Sequence, residues 1–235
     1  AVDWGPWADV GMAAEAVAAR EGRMAPPEPV ALPLLDAAGF DGDGARVLSA
    51  TWRARDRWAL DEHRTAEGVA LLPGTGVLEL AAEAMAHQGE AFPWAIRDLA
   101  FLRPLRVPDE GAVAVTLTLP RSHAGYDLRL SADGVATAEA RVELLPLPAP
   151  APLDLPAIRA RLDRRPALLT PRADGSLASP QERHLRFGRR WHVLREAALG
   201  EGEGLARLSV PATEGMALHP GLLDLATGWA MALIP

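Results

Sequence analysis

The chain has 235 residues, 49% of them hydrophobic, and a net charge of −7 from 24 basic and 31 acidic side chains. That length holds one large domain or two small ones, with enough apolar residues for a core. The acidic balance argues against a nucleic-acid binder, and the absence of cysteine excludes a disulfide scaffold, a thiolate metal site and a cysteine nucleophile. The 21 Gly and 21 Pro stay below the roughly 25–30% of a low-complexity chain. No charge-free run reaches the ~20 residues of a membrane span, and the first residues lack the basic and apolar regions of a signal peptide. The chain does not begin with Met and ends inside the apolar run Met231-Ala-Leu-Ile-Pro235. Both ends are therefore expected to be cut from a longer protein.

Residues 1–24 open on Trp4-Gly5-Pro6-Trp7 and continue as an Ala-rich stretch expected to be helical over 11–20. Pro26-Pro27-Glu28-Pro29 reads as a linker or turn. The 46–53 stretch alternates and suits a strand, whereas the polar 61–66 stretch reads as a loop. Pro73-Gly74-Thr75-Gly76 opens a helix expected over 77–88, with Thr75 as its N-cap and Gly89 as the residue that closes it. Glu79 and Glu83 are its only charges, and a helix apolar nearly all round is a buried one. Strands are expected over 96–103, 112–119, 126–131 and 134–143, with Val113, Val115, Leu117 and Leu119 at a period of two. One buried helix followed by a run of antiparallel strands is an α+β pattern, a sheet curled around a helix.

The proline-rich 145–156 stretch reads as a stiff linker. A short helix over 155–163 and a strand pair over 192–199 and 204–210 are expected next. His219-Pro220-Gly221 then opens a second apolar helix. Pro73-Gly74 and Pro220-Gly221 introduce similar helices, which is either a repeated unit or the chance likeness of Ala-rich helices.

The six histidines, His63, His87, His123, His184, His192 and His219, show no metal-ligand spacing on a helix. His63 admits two readings. It is a surface residue of the polar run Asp-Glu-His-Arg, or a neutral imidazole in an apolar channel beside a helix N-terminus, able to accept a proton. Asp224 is either an exposed carboxylate near a helix start or a carboxyl among apolar neighbours, placed to donate a proton. A base and an acid that meet across two copies of one unit suit elimination of water. One takes the proton α to a thioester and the other protonates the leaving β-hydroxyl. Amides at the Pro73-Gly74 helix start are placed to polarise the thioester oxygen.

These residues carry a family resemblance. His63-Arg-Thr-Ala-Glu-Gly68-Val-Ala-Leu-Leu-Pro73-Gly74 resembles the first active-site motif of polyketide synthase dehydratase domains. Leu218-His219-Pro220-Gly221-Leu222-Leu223-Asp224 is similar to the second, and Phe187-Gly188-Arg189-Arg190-Trp191 to the aromatic segment that opens the second half. The opening Asp3-Trp-Gly-Pro-Trp-Ala-Asp-Val-Gly-Met12 resembles the C-terminal end of a ketoreductase. Three departures stand out: Glu67 lies where the family places Gly, so the loop is one residue longer; Arg189 replaces Pro; and Gly228 stands where a Gln or His usually follows the Asp.

The resemblance implies a double hotdog, with a ketoreductase tail over 1–24, a first hotdog over 25–145, a linker over 146–165 and a second, incomplete hotdog over 166–235. It implies His63 as base and Asp224 as acid, with Gly68, Pro73, Gly74 and Thr227 binding substrate, Thr227 standing in for the missing side chain at 228. No metal and no bound cofactor are implied. The substrate is a β-hydroxyacyl chain on the phosphopantetheine arm of an acyl carrier protein, and it leaves as an enoyl thioester. Neighbouring synthase domains, a homodimer and a cytoplasmic location are further expectations. The alternatives are a double-bond isomerase or cyclase on the same fold, and a non-catalytic structural domain.

Overall fold

The computed structural model describes residues 25–145, 148–162, 169–210 and 214–231. In chain order they form β1 (Glu28–Pro29), β2 (Ala37–Phe40), β3 (Arg46–Trp52), α1 (Trp58–Asp61), β4 (His63–Thr65), β5 (Ala70–Leu71) and α2 (Gly74–His87). There follow β6 (Ala95–Phe101), β7 (Arg106–Val107), β8 (Val113–Leu119), β9 (Gly125–Ala132), β10 (Val135–Glu143) and α3 (Leu155–Arg161). The chain continues with β11 (Leu185–Phe187), β12 (Leu194–Leu199), β13 (Gly204–Leu208) and α4 (Pro220–Gly228). The expected tail over 1–24, with its helix over 11–20, lies outside the described residues.

A seven-stranded antiparallel sheet, ordered β1-β2-β3-β8-β9-β10-β6, curls around α2. Val113, Val115, Leu117 and Leu119 of β8 are buried, and Ala114 between the first two is exposed, as a period of two requires. They share one core with Leu80, Ala81, Ala84 and Met85 of α2. Each fully buried Leu or Met there contributes about 1.5–3 kcal/mol relative to exposure.

The end of α2 follows from Gly89, whose φ of +78° suits a residue without Cβ. The Gly89 amide donates to Ala86 O and the Glu90 amide to Met85 O, which satisfies carbonyls that the helix leaves unpaired. At its start Pro73, not Thr75, is the capping residue, with extended backbone and no side-chain bond. Thr75 lies inside the first turn, and its hydroxyl donates to Pro220 O at 3.1 Å, joining the two helix starts.

Two other expectations are corrected. Glu28–Pro29 is not a free linker but a short edge strand paired with Ala37 and Ala38, a place where proline's missing donor costs no ladder bond. The 61–66 stretch is not a loop, because His63–Thr65 is a strand of a second, four-stranded sheet ordered β11-β4-β5-β7. Its polar composition hid this, since only His63 of the three faces fully inward.

That small sheet joins the two halves of the chain, because β11 comes from beyond the proline-rich stretch. The main core runs on across the join through Trp191, Val193, Met216 and Leu225. The β12–β13 pair and α4 enclose a smaller cluster of Leu194, Leu199 and Trp229. Residues 148–155 are exposed, and α3 is capped by the Asp154 carboxylate, which accepts from the Ala157 amide. No helix of the described residues is long and apolar enough to cross a membrane.

Candidate active site

β4 and β5 fix His63 from both sides. Its backbone pairs with Phe187 of β11, and its ring Nδ1 lies 2.7 Å from Leu71 O on β5. A carbonyl only accepts, so Nδ1 carries the ring proton and Nε2 offers its lone pair. The side chain is buried, and burial holds the imidazole below its ordinary value, against the smaller opposing pull of the Leu71 carbonyl and Asp224. Of the two sequence readings of His63, the exposed one is therefore incorrect.

Nε2 points at Asp224, 3.9 Å from Oδ2. Asp224 sits on α4 with its side chain 14% exposed. Its Oδ2 accepts from Trp191 Nε1 at 3.3 Å, and its Oδ1 faces Gln181 Nε2 at 3.5 Å. The two residues that resemble a base and an acid thus share one site, supplied by different halves of the chain.

The surroundings are aromatic. Trp191 lies 5.4 Å from the His63 ring and 5.3 Å from Trp58, and Phe187 stacks on His63 at 5.6 Å. Such a wall strengthens electrostatic interactions by excluding water. Trp191 is held by the segment before it. Glu62 accepts from the Arg190 amide at 2.6 Å and pairs with its guanidinium, which also reaches Glu214 at 2.7 Å. Gly188 makes room for this, since a Cβ there would lie 2.3 Å from Glu62 Cγ. His219 caps α4, its Nδ1 accepting from the Leu222 amide at 3.1 Å while its ring packs on Trp58. Burial pushes this imidazole down too, which favours the neutral form that the cap needs.

Leu71, which holds His63, stands just before Pro73 and Gly74 at the start of α2. An open cleft of about 410 Å3 there is lined by Leu71, Pro73, Gly74, Val77, Phe101 and others. Gly74 is close to Phe101, whose ring would lie 2.9 Å from an added Cβ. The first amides of a helix lack intrahelical acceptors and carry its positive end. Gly68, with φ of +92°, forms the turn between β4 and β5, where its amide donates to Thr65 O. Across that turn Arg64 pairs with Ala70.

Thr227 is corrected. It is exposed, and its hydroxyl donates to the carbonyls of Leu223 and Asp224, so it serves its own helix and not the Asp224 carboxylate. Trp191 and His219 stand within the quoted motif segments without an assigned role, and Gln181 and Glu62 stand outside them. One of them was legible: Ser179-Pro180-Gln181-Glu182 spells a capping box, and the structure forms it.

Residues 33–132 match the family model described as "Polyketide synthase dehydratase domain". Curated protein sequences give no match. Among solved structures, the dehydratase domain from the CurF module of curacin polyketide synthase is 21% identical, with a TM-score of 0.73 over 88% of this chain and 78% of that one. A trans-AT polyketide synthase dehydratase domain from Brevibacillus brevis is 20% identical, with a TM-score of 0.72 over 88% and 76%. The pyran synthase domain from module nine of the sorangicin pathway is also 20% identical, with a TM-score of 0.67 over 87% and 73%. These likenesses establish the fold, an α+β double hotdog. Residues 33–132 thus match a polyketide synthase dehydratase model in sequence, and the chain shares the double hotdog fold of the dehydratase domains that it resembles.

Proposed function

We propose that this domain removes water from a β-hydroxyacyl thioester, with His63 as base and Asp224 as acid. The observation that carries the reading is His63 Nε2, free of its proton and 3.9 Å from Asp224 Oδ2. In the forward step Nε2 takes the proton α to the thioester, and the electron pair forms the double bond as the β-oxygen leaves. The protonated Asp224 carboxyl gives its proton to that oxygen, which departs as water. The imidazolium and carboxylate left behind face each other, so the proton on Nε2 passes back to Asp224 and restores the starting state. Each proton-transfer group contributes typically 10²–10⁴-fold. The amides at the start of α2 support placing the thioester oxygen there, where a helix N-terminus stabilises developing negative charge.

The substrate is proposed to arrive on the phosphopantetheine arm of an acyl carrier protein. Its donor is a neighbouring part of a multidomain synthase in the cytoplasm that acts as a homodimer. The 25–145 and 166–235 segments are read as the two hotdog units of one catalytic domain.

The test is to incubate the protein with a β-hydroxyacyl carrier protein and follow loss of water by mass. An enoyl product is expected, and His63→Ala should reduce its rate at least ~10²-fold. An enoyl thioester whose double bond migrates, or a hydroxyenoyl thioester that closes to a ring, would show an isomerase or cyclase instead. A folded protein inert to all of these would be structural.

A further inference from the structure

Residue 228 lies one helical turn beyond Asp224, on the same face of α4, where a side chain would normally adjoin the carboxylate. It is glycine, and the space is filled from elsewhere. An added Cβ at 228 would lie 2.3 Å from Gln181 Cδ and Oε1 and 2.5 Å from Nε2. Gln181 is far away in sequence, on the short 3-10 turn Pro180–Arg183. We infer that Gln181 is the positioning residue for Asp224, an amide supplied by a neighbouring turn through the gap that Gly228 leaves. This rests on the proposed role of Asp224.

Three observations support it. The Ser179 hydroxyl donates to Gln181 Oε1 at 3.0 Å, and the same amide turns its Nε2 donor toward Asp224 Oδ1 at 3.5 Å. The turn that presents Gln181 is built to hold still. The Ser179 amide donates to Glu182 Oε1 at 2.6 Å, Ser179 Oγ accepts from the Gln181 amide, and Glu182 is also ion-paired with Arg172. Finally, Gln181 completes a pair of donors. Trp191 Nε1 holds Oδ2, the oxygen nearest His63, and Gln181 holds Oδ1. With both oxygens held, the carboxyl plane is fixed relative to His63, whereas Trp191 alone leaves it free to rotate. At 3.5 Å the Gln181 contact is at the outer edge of hydrogen bonding, so it orients the carboxyl and does not bind it tightly.

The experiment uses the β-hydroxybutyryl thioester of N-acetylcysteamine as probe. Gln181→Ala is expected to lower kcat roughly tenfold, the scale of one hydrogen bond to a charged group, with KM and thermal midpoint unchanged. The double variant Gln181→Ala/Gly228→Gln returns an amide from α4 itself and is expected to recover kcat to within about threefold of the parent. A kcat for Gln181→Ala equal to the parent, or a double variant no faster than Gln181→Ala, overturns the inference. A second readout needs no turnover: the Gln181 side-chain amide resonances should move on Asp224→Asn. Resonances that stay fixed overturn the pairing. If they move while the parent protein forms no enoyl product, the pairing stands and the dehydratase reading falls.

Discussion

The two central helices begin alike and carry their carboxylates to opposite ends. On α2, Glu79 and Glu83 are buried and turned to backbone. Glu79 accepts from the amides of Ala217 and Leu218, and Glu83 from that of Leu34 at 2.9 Å. These carboxyls hold neighbouring chain segments, one of which leads directly into α4. On α4, Asp224 is held only by side chains, at 3.3 and 3.5 Å, and it keeps a face toward His63. A carboxyl saturated by short backbone bonds is a structural tie, whereas one oriented by longer side-chain donors retains an oxygen for proton transfer. The helix that is better wrapped carries no candidate acid, and the one with the smaller sheet does.

The most direct way to break this contrast is to remove each carboxyl. Asp224→Ala should lower dehydration at least ~10²-fold while leaving the urea midpoint nearly unchanged. Glu79→Ala should do the reverse, costing about 1–3 kcal/mol of stability by removing the acceptor that ties down the Ala217 and Leu218 amides. A large stability loss from Asp224→Ala, or none from Glu79→Ala, would erase the distinction.

A smaller effect sharpens it through pH. Burial, reinforced by the charge of Glu79, pushes the Glu83 carboxyl up to about 8 from an ordinary value of 4.5. Between those values the folded protein holds a proton that the unfolded chain has released. Stability is therefore greatest below the lower value and falls as pH rises toward the upper one, by at most about 1.4 kcal/mol per pH unit. Denaturation across that window should show the slope, and Glu83→Gln should flatten it. Glu79, shifted upward by burial as well, retains part of it. An unchanged slope in the variant would mean that Glu83 is not the group responsible.

The smallest shift concerns the proposed base. Burial lowers the His63 value, so the imidazole stays neutral below the usual 6.5. The acid limb of kcat/KM should have its midpoint below 6.5, with activity lost as pH falls through it. A limb at or above 6.5 would remove the evidence that burial tunes this histidine.

Local pattern made much of the fold legible. The helix expected over 77–88, the strands over 112–119 and 126–131, and the strand pair over 192–199 and 204–210 follow from periodicity and turn residues, and they stand within a few positions of the observed bounds. The short strands of the joining sheet were missed. β4, β5, β7 and β11 have two or three residues each, too few to show a period, and their pairing depends on partners far along the chain. The chemistry divides in the same way. Resemblance to known motifs points to His63 and Asp224, whereas Thr227 is close to Asp224 only in sequence, and Gln181 adjoins it only in space.

By itself, then, the sequence determined which segments are buried helix and which are strand, and which two titratable residues stand at motif positions. The first is a consequence of local periodicity and composition, and the second of the resemblance of two segments to known motifs. Tertiary structure alone decided that His63 lies inside, that its Nε2 faces Asp224, and that the gap at Gly228 is filled by a side chain from the Pro180–Arg183 turn. The physical reason is that burial, tautomer and donor pairing depend on groups brought together by folding, and one sequence position carries no record of which distant atom will occupy the space beside it.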